Sequence, residues 1–197
     1  MSKPFIPIGQ YFKACFNKEI EDKISETKRK CFRLNSTDPC SEEYQTILKS
    51  ILGKMGKGTT ILPSFWCDYG YNIEVGDYFF ANHNLIITDG AKVTFGDHVF
   101  IAPNCTFTTA NHALDPGMRK EGIEVALPIK VGNNVWIGTG AIILAGVEIG
   151  DGSIVGAGSV VTKSIPSNVI AYGNPCKVIR KLTEEDKKRY PSVSLQA

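Results

Sequence analysis

The stretch TTANHALDP, residues 108–116, carries His112, one of three histidines in a chain of 197 residues. It stands where a regular run of short aliphatic–glycine units stops. An imidazole titrates near neutrality, so it can take a proton from a very weak acid as attack begins. That is the work of a general base. The ordinary alternative is a histidine satisfied in a turn. His83, between Asn82 and Asn84, and His98, in FGDHVF, raise the same choice without a comparable break around them.

The elements that must position His112 follow from a six-residue repeat. From Val131 the chain reads VGNNVW, IGTGAI, ILAGVE, IGDGSI, VGAGSV, VTKSIP, with an aliphatic residue leading each unit. The rhythm also runs through VGDYFF, ANHNLI, ITDGAK from Val75 and FGDHVF, IAPNCT, FTTANH from Phe95, with two extra residues shifting the phase between them. Six residues make a short strand and a turn, and glycine or asparagine tolerates the turn's backbone angles. Inward aliphatic residues stack into a continuous core, as in other solenoids. Three units per coil, rising about 4.8 Å, the spacing of paired strands, place residues 18 apart over one another, so Ile137 should lie under Val155. Segment 113–128 departs from this scaffold as an excursion, where a functional group can be held out to meet a neighbour.

The rest of the chain frames that repeat. Helices are expected from Asn17 to Phe32, with Ile20, Ile24 and Cys31 inward, and from an Asp38–Pro39 start to a stop at Gly53. The second carries Tyr44, Ile47, Leu48, Ile51 and Leu52 as one apolar stripe. The run ETKRK at 26–30 reads as a solvated helix face, and KLTEEDKKRY near the end as a further short helix. The organisation expected is a helical region at 1–60, a β-solenoid at 61–182 and a tail at 183–197. A net charge of +2 gives no reason to expect nucleic acid or an anionic membrane. MSKPFIPIGQ has no long apolar run, and no stretch approaches a membrane span. Six scattered cysteines without a C-x-x-C pair suit reduced thiols in the cytoplasm.

PSFWCDYGYNIEVG, FFANHNLIITD, TTANHALDP, ALPIKVGNNVWIG, IGDGSIVGAGSVVTKSIPSNV and YGNPCKVIR together resemble the hexapeptide-repeat acetyltransferases, and within them the maltose and galactoside O-acetyltransferase group with its nodulation acetyltransferases. The resemblance implies a mainly β fold, a left-handed parallel β-helix with an N-terminal helical region and a short C-terminal helix. It implies acetyl-CoA as acyl donor, a sugar or similar small hydroxyl acceptor, and a homotrimer with sites between subunits. His112 becomes the catalytic base, Asn82 an amide contributor beside it, and Glu124 a group that orients the imidazole, against a plain surface role. Asp68 and Asp89 fall at acceptor positions, though CDYG and TDG are also ordinary turn signatures, and His83 lines the acceptor cleft at most. Trp136, Thr139, Ala157 and Thr162 match positions near the pantetheine arm, and Lys177 and Arg180 positions near the nucleotide phosphates.

The chain departs from the group at one place. Where an N-terminal aspartate often contacts the acceptor, KACFNKEI offers Ala14 or Asn17, which leaves the acceptor's identity open. Other acyltransferases of the fold act on antibiotic, serine or amino-sugar acceptors, and a noncatalytic assembly subunit would show erosion of the His112, Asn82 and Trp136 set. The γ-class carbonic anhydrases use three histidines to hold zinc between subunits. Here successive histidines are 15 and 14 residues apart, not at the 18-residue stacking interval, so no metal is expected. Cys105 sits at an inward repeat position, and Cys67 lacks an identifiable histidine partner, so neither is read as a covalent nucleophile.

Overall fold

The computed structural model describes residues 9, 11–13 and 17–188. Ala14 lies outside the described residues. Helix α1 (Lys18–Asn35) starts where the Asn17 side chain accepts the N–H groups of Glu19 and Ile20, which occupies that side chain in capping. The helix runs three residues beyond Phe32 and buries Ile20, Thr27, Cys31 and Leu34.

Helix α2 (Glu42–Ile51) begins later than the Asp38–Pro39 signal suggested. Ser41 is its cap, with Oγ accepting Tyr44 N–H at 3.1 Å, and Glu42 and Glu43 fill the first turn where negative charge is favoured. Asp38 closes the preceding turn through the Cys40 N–H instead. Gly53 follows the helix because the first coil packs there: a Cβ would meet the Tyr71 carbonyl oxygen at 2.1 Å.

The repeat forms a parallel β-solenoid with three faces. One face stacks Lys54–Met55, Ile73–Val75, Val93–Phe95, Ile129–Val131 and Glu148–Ile149. A second stacks Thr60–Ile61, Phe80–Ala81, Phe100–Ile101, Trp136–Ile137, Ile154–Val155 and Val169–Tyr172, with Lys177–Lys181 added antiparallel at its end. The third stacks Phe65–Cys67, Leu85–Thr88, Thr106–Thr108, Ile142–Ile143 and Val160–Val161. Because the first face already includes Lys54–Met55, the first coil begins before residue 61. Inward aliphatic and aromatic residues from all three faces merge with Leu34, Tyr44 and Leu48 in one buried core.

Ile137 pairs with Val155, 18 residues on, as the repeat required. Earlier coils take 20: Val75 pairs with Phe95 and Ala81 with Ile101. The two additional residues collect where the third face returns to the first, at 68–72 and again at 88–92. One coil later the same corner releases the excursion. There Ala110–His112 and Ile123–Ala126 pair antiparallel, joined by helix α3 (Pro116–Lys120), and Tyr11–Lys13 adds to the free edge of Ile123–Ala126. Helix α4 (Glu184–Lys188) follows the final strand.

The corner between the second and third faces never swells. Asn84, Asn104, Gly140 and Gly158 occupy one turn position in successive coils, all at positive φ, the backbone region that asparagine and glycine accept most readily.

Candidate active site

The swollen corner gathers one set of polar side chains. Asp89 Oδ1 accepts the backbone N–H groups of Asp68 at 3.0 Å and Tyr69 at 2.9 Å. Its own carbonyl accepts Asn72 Nδ2 at 2.7 Å. One coil on, Thr109 Oγ1 donates to the Thr88 carbonyl and accepts the Ala91 N–H. Strand Ala110–His112 leaves directly from that anchored threonine.

His112 and Glu124 face each other across the excursion hairpin. Glu124 Oε1 lies 3.4 Å from His112 Nδ1, with the imidazole side chain 56% exposed and the carboxylate 19%. Burial pushes the Glu124 carboxyl up, while the neighbouring His112 pulls it down and Asp68 raises it. Asp68 itself is half-buried; burial raises its carboxyl and Lys28 on α1 lowers it. Lys28 belongs to the basic run read as a solvated face, and no motif marks it; only the packing of α1 brings it to this corner.

Asp89 differs from the expected acceptor contact. It has no exposed surface, because the extra residues of its corner turn the carboxylate inward onto the backbone of the preceding coil. Its contacts are with the backbone of Asp68 and Tyr69.

The remaining expected residues lie elsewhere. Asn82 and His83 sit at the tight corner, where Asn82 Oδ1 accepts the His83 N–H at 2.7 Å and His83 Nδ1 is held against the Pro63 carbonyl. Thr139 and Ala157 occupy the same corner in later coils, tied by the Gly158 N–H to the Thr139 carbonyl. A Cβ placed on Gly140 or Gly158 would meet no atom within 4 Å, so this edge is open to an extended ligand. Trp136 projects from the adjoining second face, 52% exposed. Thr162 follows Val161 at the end of the third face and is exposed. The tight corner and the swollen corner stand a full face apart, roughly 15–20 Å of extended chain.

Lys177 is exposed on the final strand. Arg180 is paired: both terminal nitrogens donate to Asp186 at 2.7 Å, a bidentate fit that occupies the guanidinium. The three histidines occupy three different corners, His98 lying at the remaining one with its ring stacked on Tyr78 at 5.0 Å. Among the described residues no three His, Cys, Asp or Glu side chains are arranged to hold a metal ion, and no helix is long and apolar enough to cross a membrane.

The repeat and the fold match known proteins. Residues 128–163 fit the family model described as bacterial transferase hexapeptide, six repeats. The chain is 41% identical over 172 residues to the galactoside O-acetyltransferase of Escherichia coli, covering 87% of this chain and 85% of that one. It superposes on a galactoside acetyltransferase solved in complex with coenzyme A at a TM-score of 0.87 and 40% identity, over 91% of this chain and 90% of the other. A maltose O-acetyltransferase from Clostridium difficile gives a TM-score of 0.86 at 43% identity, over 89% of this chain and 94% of that one. With its left-handed parallel β-helix and its likeness along almost the whole chain, the protein belongs to the hexapeptide-repeat acetyltransferases of the galactoside and maltose O-acetyltransferase group, enzymes that take their acyl group from acetyl-CoA.

Proposed function

We propose that the protein transfers an acetyl group from acetyl-CoA to a hydroxyl of a sugar or similar small acceptor, with His112 as general base, at sites shared between subunits of a cytoplasmic homotrimer. The observation that carries this reading is the division of the site. His112, Glu124, Asp68 and Asp89 occupy the swollen corner, while Asn82, His83, Thr139 and Ala157 occupy the tight one. Bringing a second chain's tight corner against the swollen corner joins the two sets. Repeating that contact around an axis gives three equivalent sites.

The outer surfaces support such packing. The second face presents Phe80, Phe100, Trp136 and Ile154, and the third presents Trp66, Ile86, Ile142 and Val160. The first face presents Lys54, Glu74, Thr94, Lys130 and Glu148. The two apolar faces meet at the tight corner, so association around that edge removes the large exposed aromatics from water. The solenoid with its excursion is then the acyltransferase unit, and α1 walls the acceptor corner.

The chemistry follows from the hairpin. Glu124 beside Nδ1 favours the tautomer with its proton there, which leaves Nε2 to take the acceptor's hydroxyl proton. Acetyl-CoA supplies a thioester carbonyl, and the departing thiolate receives the proton back from the imidazolium. Main-chain N–H groups stabilise the oxyanion that forms between these steps. Thr139, Ala157 and the open edge at Gly140 and Gly158 suit a pantetheine arm, Trp136 and Thr162 flank it, and Lys177 is placed to meet phosphate, with Arg180 held by Asp186. Among the described residues the cysteines are free, in keeping with a reducing compartment.

The shared site is tested by mixing two inactive variants, His112→Ala and Ala157→Trp, after dissociation and reassembly. Mixed trimers contain some interfaces with both corners intact, and part of the activity returns. Verified subunit exchange without recovery would place each complete site within one chain and overturn the proposal.

A further inference from the structure

Asp89 holds the one buried side-chain oxygen among the described residues without a hydrogen-bond partner, its Oδ2. The residue is 0% exposed. Leaving a buried carboxylate oxygen unpaired opposes folding, so an ordinary structural turn would be better served by a neutral residue. The other oxygen has a specific task, because it grips the backbone at Asp68 and Tyr69. Those two residues form the part of the swollen corner that faces the excursion carrying His112 and Glu124. Charge-assisted bonds to backbone N–H groups are roughly twice as strong as neutral ones.

We propose that Asp89 is a positioning residue for the acceptor: as a buried carboxylate it clamps the 68–69 backbone and so fixes Asp68 beside the His112–Glu124 pair. This rests on the reading of the swollen corner as the acceptor site. The same position one coil later is filled by Thr109, a neutral residue that anchors Thr88 and Ala91. A hydroxyl therefore suffices to hold this corner together one coil later, and the carboxylate is confined to the coil that follows Asp68.

The surroundings define how the clamp responds to pH. Asp68, Tyr69 and Tyr71 face it from the corner, and Cys31 on α1 and Cys67 on the third face lie against it from the core side. Lys28 on α1 and Glu124 on the excursion act on it through Asp68. Burial is the largest influence and pushes the Asp89 carboxyl up to about 6, against the pull of the Tyr69 and Asp68 N–H groups. A carboxyl raised on folding favours the folded state below its unfolded pKa, and that advantage is lost as pH rises through the folded value. At pH 8 the charged clamp therefore costs stability that a neutral amide would not.

The test is Asp89→Asn, which keeps an oxygen for the two N–H groups but removes the charge, with Asp89→Ala as the deletion. With a thiogalactoside as probe acceptor at pH 8, Asp89→Asn should raise the acceptor KM about tenfold and leave the acetyl-CoA KM unchanged. Its Tm should exceed that of the wild type at pH 8, and the difference should vanish towards pH 5. The backbone amide resonances of Asp68 and Tyr69 should titrate near pH 6 in the wild type and not in Asp89→Asn. An acceptor KM within twofold of wild type, or both KM values rising together with a lower Tm, would overturn the clamp. Asp68 and Tyr69 amide resonances left unmoved by Asp89→Asn would overturn it whatever the acceptor. Titrating amides in a protein that acetylates no sugar would instead sink the sugar reading and leave the clamp standing.

Discussion

The two working corners of the solenoid are built from the same six-residue unit and differ in how they close. The tight corner repeats one turn in four successive coils, at Asn84, Asn104, Gly140 and Gly158, with asparagine or glycine at the positive-φ position. The swollen corner accepts two additional residues in successive coils and then a whole hairpin with a helix. A repeated turn makes a uniform rail along the prism, suited to an extended ligand that lies across several coils. An expanded corner breaks the repetition, so each coil contributes a different side chain. Chemistry needs unlike groups brought together, which only the second kind of corner supplies.

The sharpest way to break this comparison is to remove the base from the swollen corner. His112→Ala should lower kcat by ~10²–10⁴-fold, the usual cost of losing a positioned general base, without shifting Tm. The side chain is more than half exposed, so little packing is lost with it. Near-normal turnover in this variant at saturating acceptor would return His112 to the status of a turn residue.

How far each corner can be read from the chain follows from the same difference. The tight corner and the stacked core are legible because they repeat: Ile137 under Val155 is a matter of counting. His112 stands out because it interrupts the repeat, and Glu124 only through the resemblance; the hairpin that pairs the two is seen in the fold. The interior of the swollen corner is not legible in this way. TDG looks alike whether its carboxylate points to solvent or to the core, and only the fold reveals that Asp89 is buried. Lys28 is equally hidden, since a helical charge run does not say which of its members meets another element. At α2 the Asp38–Pro39 pair signals a start, but the cap is Ser41, which accepts the Tyr44 N–H.

A finer test sharpens the role of the hairpin within the swollen corner. Glu124→Gln keeps the size of the side chain and removes its charge. If Glu124 orients the imidazole, kcat should fall about tenfold, at the level of one charge-assisted hydrogen bond, with both KM values unchanged. The carboxyl is raised by burial, and protonation releases its hold on His112. Wild-type kcat should therefore fall more steeply on acidification than that of Glu124→Gln, and parallel profiles would assign Glu124 to the surface.

The smallest effect is expected furthest from both corners, at the closing strand. Arg180 was a candidate for the nucleotide phosphates, yet its guanidinium is engaged at both terminal nitrogens by Asp186, which also accepts the Thr183 N–H. A phosphate would have to displace a carboxylate already in bidentate register, and an exposed pair of this kind is itself worth little. Arg180→Ala should then raise the acetyl-CoA KM less than threefold, whereas Lys177→Ala, which removes an exposed cation on the same strand, should raise it more. The two variants separate cleanly in low salt, where a phosphate contact is least screened. A large rise in KM for Arg180→Ala, abolished by added salt, would mean that Asp186 releases the guanidinium when the coenzyme arrives. The closing strand would then have to be counted with the tight corner as part of the coenzyme rail.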